Sequence, residues 1–137
     1  MALNYNEFKE YVRQRELNNY RSYLEVINNI NEFYDEKDFK FFYPRNVFND
    51  QETELLIFFK DGYVSIRPDI DQKWVYEHHY GKVISKSLVA SRYTADIHEL
   101  TITFENGKKV VLDSRDDSNP DWLSDYSKVI RELFKLI

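Results

Sequence analysis

The segment LTITFENGKKVVLD, residues 100–113, indicates the fold class of this 137-residue chain. Apolar and polar side chains alternate along its first part, LTITFE, which is the pattern of a strand with one buried face. The next two residues, Asn106 and Gly107, are the strongest short sequence signal for a β-hairpin. We therefore predict two antiparallel strands joined by this turn, with residues 108–113 returning as the second strand.

Similar strand and turn patterns lie upstream of this hairpin. The tripeptide Lys60-Asp61-Gly62 separates two apolar runs and predicts a second hairpin. The strands predicted in this part of the chain are residues 54–59, 63–67, 73–80 and 82–93. All 3 glycines of the sequence fall at predicted turns, which supports the register of this interpretation. We expect an antiparallel sheet of roughly five to six strands, arranged in hairpins, within residues 53–117.

The N-terminal part of the chain, residues 1–43, contains neither glycine nor proline and is predicted to be helical. Asn4 has the sequence context of an N-cap residue, and Glu7 stands where a capping box requires it. Two apolar stripes follow at helical spacing, but they are out of phase across residues 14–16. This pattern predicts two helices, or one helix that changes its buried face. The stripes are Tyr5, Phe8 and Val12, and then Leu17, Tyr20, Leu24, Ile27, Ile30 and Tyr34.

A further helix is predicted at the end of the sequence, over residues 119–137. Asn119 suits its N-cap, Pro120 its first helical position, and Asp121 the positive end of its dipole. A wide apolar stripe along this helix predicts that it packs across one face of the sheet. The stripe contains Trp122, Tyr126, Val129, Ile130, Leu133, Phe134 and Ile137.

The order of these elements predicts an α+β fold, with N-terminal helices, an antiparallel sheet and a C-terminal helix packed on the sheet. A chain of this length fits one domain. The only candidate boundary, residues 44–51, separates a helical part from a strand part, and each part is too small to fold alone. We therefore expect a single domain over residues 1–137.

Residues 53–137 resemble the later part of a pleckstrin-homology-like domain, in which successive hairpins are closed by one C-terminal helix. The hairpin at residues 100–113 and the helix from Pro120 to Ile137 carry this resemblance. It implies a binding scaffold more often than an enzyme. The whole chain also resembles small uncharacterised proteins of Bacillus and its phages, a family of unknown function.

The composition argues against several classes of protein. The formal net charge is −5, and 19 basic and 24 acidic residues are mixed along the chain, so a broad cationic surface for nucleic acid is not expected. The sequence has no cysteine, which excludes disulfides and zinc–thiolate sites and suits a reducing compartment. Its apolar runs are far shorter than a membrane span, and its first residues lack the pattern of a secretory leader. We expect a cytoplasmic protein without membrane or nucleic-acid partners.

No sequence motif marks a catalytic site. The chain has neither a nucleophile elbow nor a phosphate-binding glycine loop. His78 and His79 are neighbours on a predicted strand, so their side chains point to opposite faces and cannot readily share a metal ion. The loop acids Asp113, Asp116 and Asp117 are expected to serve turns and a helix cap. We predict no catalytic residue, metal or cofactor, and we keep a hydrolytic enzyme using a carboxylate or histidine as the least favoured alternative.

Aromatic residues are abundant, with 11 Tyr, 10 Phe and 2 Trp, and we expect most of them in the core. One row at period two shares a face of the strand predicted at residues 73–80. This face is either buried or a surface on which a planar ligand stacks. In the second case, nearby arginines are candidates for holding an anionic group of the ligand. The candidate ligand-binding residues are Trp74, Tyr76, His78, Tyr80, Arg67 and Arg92.

Two functional hypotheses follow from the sequence. The first is a non-enzymatic interaction domain that binds a protein partner through an aromatic-rich surface, for example a phage-type regulator or inhibitor. The alternative is a small-ligand-binding module that uses the aromatic face of the sheet. The sequence leaves the oligomeric state open, and a homo-oligomer is compatible with the long N-terminal helices.

Overall fold

The computed structural model of the chain describes residues 3–71, 73–94 and 96–137. Its N-terminal part contains two helices, α1 (Tyr5–Arg13) and α2 (Tyr20–Phe33), which is the first of the two arrangements that the phase change in the apolar pattern allowed. The predicted capping box at the start of α1 is present. The Asn4 Oδ1 accepts from the Glu7 backbone N–H at 2.9 Å, and the Glu7 carboxylate accepts from the Asn4 N–H at 3.2 Å.

The buried face of α2 agrees with the predicted stripe at Ile27 and Ile30 but differs from it earlier in the helix. Tyr23 and Val26 are buried, whereas Leu24, which the stripe included, is 37% exposed. The prediction counted helical spacings from Leu17. This residue lies in the linker before α2, so its spacing to Tyr20 is not a helical one. The error therefore rotated the predicted face around the helix.

Within these described ranges, seven strands form two antiparallel sheets, one in the order β1-β2-β3-β4 and one in the order β5-β6-β7. Their bounds are β1 (Phe41–Arg45), β2 (Glu54–Phe59), β3 (Gly62–Pro68), β4 (Trp74–Tyr80), β5 (Val83–Ala90), β6 (His98–Phe104) and β7 (Lys109–Asp113). The predicted α+β class and the predicted hairpins are confirmed. The count exceeds the expected five to six strands because β1 lies where the helical part was expected to end.

The strand that sequence analysis missed, β1, follows a short 3-10 helix at Glu36–Asp38. It pairs antiparallel with β2, with Phe42 opposite Ile57. A five-residue strand with Pro44 near its end carries a weak local signal, and pairing with β2 is what makes it a strand. The helical part therefore ends with α2 at Phe33, not at residue 43.

The β2 strand lies at the centre of the molecule and is covered on both faces. Leu55 and Ile57 belong to a core shared with α1 and α2. Leu56 and Phe58 belong to a second core, shared with the β5-β6-β7 sheet and the C-terminal helix. Burial on both faces explains why residues 55–58 are an unbroken apolar run, without the alternation seen in β6.

The C-terminal helix α3 (Leu123–Leu136) packs on the sheet as predicted. It begins later than expected, because residues 119–122 form a turn in which the Asn119 Oδ1 accepts from the Trp122 N–H at 3.0 Å. The Trp122 ring stacks on Phe48 with centroids 4.1 Å apart, and this contact holds the turn against the loop after β1. No helix in the described ranges is long and apolar enough to cross a membrane.

Candidate functional site

The aromatic row on β4 lies on one face of the strand, as predicted, and its first half is covered by α2. The Trp74 Nε1 donates to the Ser22 Oγ at 2.9 Å. The Tyr76 hydroxyl accepts from the Asn29 Nδ2 at 2.8 Å. Since α2 supplies both partners, Trp74 and Tyr76 serve packing between the helix and the sheet.

The second half of the row remains open at the edge of the four-stranded sheet. The His78 ring lies between Phe59, at 5.3 Å between centroids, and Tyr80, at 4.1 Å. Tyr80 is 68% exposed. The His78 Nε2 is buried without a hydrogen-bond partner, and burial lowers the pKa of this imidazole, so the ring is neutral at pH 7. The rings of Phe59, His78 and Tyr80 form an aromatic surface, but because they stack on one another, no gap remains between neighbouring rings.

The two candidate arginines make contacts outside this row. Arg67 pairs with Val75 across β3 and β4, so its side chain lies on the face opposite Trp74. Its Nη2 donates to the Glu77 Oε1. Arg92 follows β5 in the chain, and its guanidinium lies 6.0 Å from the Tyr93 ring centroid. The anion-holding role that the sequence suggested for Arg67 therefore has no geometric support at the aromatic face.

The two remaining histidines lie on β4 and β6. His79 lies on the opposite face of β4 from His78, with its Nε2 3.9 Å from the Glu77 Oε2. His98 is buried on β6, and burial lowers its pKa. Within residues 3–71, 73–94 and 96–137, no group of three or more His, Cys, Asp or Glu could hold a metal ion.

The acidic turn after β7 is structural. The Asp113 Oδ1 accepts from the backbone N–H of Arg115 at 2.9 Å, which is the turn chemistry expected of it. The Asp117 Oδ2 accepts from the Tyr43 hydroxyl at 2.8 Å, and its Oδ1 lies 3.2 Å from the Arg45 Nε. Burial raises the pKa of Asp117, and the Arg45 charge acts against this rise. The turn therefore ties the end of β7 to β1.

A surface that sequence analysis missed is the free edge of β5. Among the residues that the structure describes, this strand pairs with β6 alone and lies at the end of its sheet, so half of its backbone N–H and C=O groups point outward. Six of its eight residues are exposed, among them Ile84 and Val89 at 65% and 61%. Its only charged side chain, Lys86, is turned away and donates to the Phe134 carbonyl at 2.7 Å.

A groove runs between β5 and α3, beside this free edge. It contains a cavity of about 380 Å³, lined by Leu88 and Phe134 and by charged side chains of α3. Lys128, Arg131 and Lys135 line it at spacings of three and four, which place them on one face of the helix. Glu132 is the single acid, and it pairs with Lys135 at 3.2 Å. Within the described part of the chain, Lys128 and Arg131 form no ion pair, so the groove is cationic in an acidic protein.

The spacing of these basic residues was available from the sequence, but their position beside an unpaired strand was not.

A family model described as a protein of unknown function, DUF3908, matches residues 4–128. The chain belongs to the DUF3908 family. No curated protein and no solved structure matches it. The match to DUF3908 includes all of β5 and ends at Lys128, so Arg131, Phe134 and Lys135 lie beyond it.

Proposed function

We propose that this DUF3908 protein is a protein-binding domain without catalytic activity, which takes an extended acidic segment of a partner into the groove between β5 and α3. The observation that carries the proposal is an unprotected edge strand next to a cationic groove. The sequence predicted a protein partner without further detail. The bound segment of this partner is now proposed to be extended in conformation and acidic in charge.

The backbone of β5 determines the conformation of the partner. Unpaired N–H and C=O groups along a strand edge are satisfied best by another strand, which adds to the sheet by main-chain hydrogen bonds. Proteins usually protect such an edge with a lysine, a proline or a bulge. Here the register shift between Val83 and Ser85 protects one end. Over the remainder of β5, Lys86 is withdrawn to Phe134, and the edge stays available.

The side chains of α3 determine the charge of the partner. A strand added to β5 would point alternate side chains into the groove, toward Lys128 and Arg131. Glutamate or aspartate at these alternate positions would pair with the two unpaired cations. The side chains between them would face the outer surface of the sheet, where β5 presents Ser85, Ser87 and Val89.

The arrangement of the elements gives further support by analogy. A four-stranded and a three-stranded antiparallel sheet closed by a C-terminal helix resemble the layout of pleckstrin-homology-like domains. Such scaffolds serve in binding more often than in catalysis. We propose that the protein acts in the cytoplasm as a regulator or inhibitor of another protein, because such a protein would use a site of this type.

Fluorescence anisotropy with a synthetic peptide tests the proposal. The probe is a labelled peptide of about ten residues in which Glu alternates with Val and Thr, and the comparison peptide has Lys in place of Glu. We expect the acidic peptide to bind and the basic peptide not to bind. The double substitution Lys128→Glu/Arg131→Glu should weaken binding of the acidic peptide by at least about tenfold.

A matched control is available on the other edge of the same sheet. The double substitution Lys108→Glu/Lys109→Glu makes the same change in net charge at and just before β7, away from the groove. This variant should bind the acidic peptide nearly as well as the unaltered protein. Equal losses in the two double variants would show that only net charge matters, and the groove would then be rejected as the site.

The open end of the aromatic row supports a second candidate, the small-ligand-binding module. The exposed Tyr80 ring, which stacks on His78, offers a planar surface on which a flat ligand could stack. A ligand bound there should lose affinity when Tyr80 is replaced by Ala, whereas the same substitution at Tyr93, which is also exposed, should have no effect. Unchanged affinity in Tyr80→Ala would remove this candidate.

A further inference from the structure

A separate cavity of about 470 Å³ lies between the linker before α2 and the loop after β1. Among the described residues, five side-chain amides and two carboxylates line it, and no lysine, arginine or histidine does. Its size falls within the range of sites that hold small molecules. The two carboxylates disfavour an anionic ligand, because like charges repel.

The floor of this cavity, termed here the amide cavity, is fixed by internal hydrogen bonds. The Asn49 Nδ2 donates to the Asn46 Oδ1 at 2.9 Å and to the Ser118 carbonyl at 2.9 Å. The Thr53 Oγ1 donates to the Asn46 carbonyl at 3.2 Å and bonds to the Tyr23 hydroxyl at 2.8 Å. Asn46 has a left-handed backbone, with φ of 62°, which asparagine tolerates better than most residues. The shape of the floor is therefore set before a ligand enters.

The rim of the amide cavity, by contrast, is formed by exposed polar side chains. In the described part of the chain, the amides of Asn18, Asn19 and Gln51 make no side-chain hydrogen bond, and neither do the carboxylates of Glu16 and Asp50. Asn19 immediately precedes α2 with φ of 61°, yet its side chain does not cap the helix. The first turn of α2 therefore does not use this amide, which stays available at the cavity.

The chemistry of these groups defines a class of ligand. A side-chain amide both donates and accepts hydrogen bonds, and so does a hydroxyl group. A carboxylate accepts from hydroxyls and attracts a protonated amine. We propose that the amide cavity binds a small polyhydroxylated ligand of the sugar class, with a preference for a sugar that carries a protonated amine. This site is independent of the groove between β5 and α3.

Amide chemical shifts of the full chain, recorded by NMR during titration, test this proposal. The probes are D-glucosamine, D-glucose and D-glucose 6-phosphate, which share a ring and differ in charge. We expect glucosamine and glucose to shift amides within residues 16–19 and 46–53, with tighter binding of glucosamine and the weakest binding of the phosphate. If no probe shifts these amides, or if the phosphate binds most tightly, the proposal is wrong.

Two substitutions separate the contributions of the rim. Asn19→Gly removes an amide while keeping the left-handed backbone, which glycine adopts freely. It should weaken binding of glucose and glucosamine by about threefold to tenfold, as expected for one hydrogen bond. Asp50→Asn should reduce the preference for glucosamine over glucose.

The control for both variants is Asn28→Ala, an exposed position on α2 outside the cavity, which should bind as the unaltered protein does. Well-dispersed spectra would show that each variant is folded. If folded Asn19→Gly and Asp50→Asn both bind as tightly as the control, the amide cavity is not the site. If Asn19→Gly fails to fold, the sugar preference of Asp50→Asn decides alone.

Discussion

The Lys86 side chain of β5 donates a hydrogen bond to the backbone carbonyl of Phe134 at 2.7 Å, and its ammonium lies 4.8 Å from the centroid of the Phe134 ring. The carbonyls in the last turn of a helix have no partner within the helix, and the dipole makes this end negative. Lys86 therefore stabilises the end of α3. The same bond removes the only charge of β5 from the free edge.

Replacing Lys86 by methionine should destabilise the protein by about 1 kcal/mol, because the bond to Phe134 is lost while the aliphatic part of the side chain is kept. Urea unfolding measures this difference in free energy. Lys82→Met is the control, since the Lys82 side chain is exposed, and it should stay within about 0.5 kcal/mol of the unaltered protein. Equal stability of the two variants would contradict the role assigned to Lys86.

Arg45 is predicted to be the most sensitive charged residue. It contacts Glu54 at 2.9 Å and the buried Asp117 at 3.2 Å, so its removal leaves a buried carboxylate unpaired. Arg45→Met should cost about 3 kcal/mol or more in the free energy of unfolding. Arg67→Met, which breaks the more exposed pair with Glu77, should cost less than about 1 kcal/mol. Similar losses in both variants would refute this account of the Asp117 turn.

The raised pKa of Asp117 predicts a pH dependence of stability. A carboxyl whose pKa is higher in the folded state binds protons more tightly there, so its contribution to stability grows as the pH falls through the folded pKa and declines as the pH rises. The Asp117→Asn variant lacks this titrating group. The unfolding free energy of the unaltered protein should therefore rise relative to that of Asp117→Asn as the pH is lowered from about pH 7 to pH 4. A difference that moves in the opposite direction over this range would contradict the burial of this charge.

Gly62 and Gly107 differ in how well they would tolerate a side chain. A Cβ at Gly62, where φ is 152°, would lie 2.2 Å from the His79 carbonyl oxygen, so Gly62→Ala would push β3 away from β4. Gly107 has φ of 87° but no neighbour within 4 Å, so Gly107→Ala carries only the backbone strain of about 1 kcal/mol. Thermal unfolding should show a clearly larger loss for Gly62→Ala. Equal losses would mean that β4 moves freely away from β3.

Local signals predicted the elements that local interactions specify. The Asn4–Glu7 capping box, the turn at Gly62 and the turn at Gly107 each depend on a few neighbouring residues, and all three are present. The β1 strand was missed because its own sequence carries a weak strand signal. It is stabilised by pairing with β2, which comes after it in the chain beyond a loop. The start of α3 was misplaced because contact between Phe48 and Trp122 holds the preceding turn.

The candidate sites were harder to predict, for a related reason. Period-two spacing correctly placed the β4 aromatics on one face, but it could not reveal that α2 covers Trp74 and Tyr76. Strand order decides which edges are free, and strand order is a property of the whole fold. The basic residues of α3 gain their significance only from the neighbouring edge of β5.

Hydrogen–deuterium exchange of individual backbone amides, with and without the acidic peptide, tests strand addition most directly. A strand added to β5 must bond its outward-pointing N–H groups, so amides at alternate positions within residues 83–90 should exchange more slowly with the peptide bound. Amides of β7 should not change. Unaltered exchange along β5, or protection confined to β4, would contradict the proposal that the partner binds between β5 and α3.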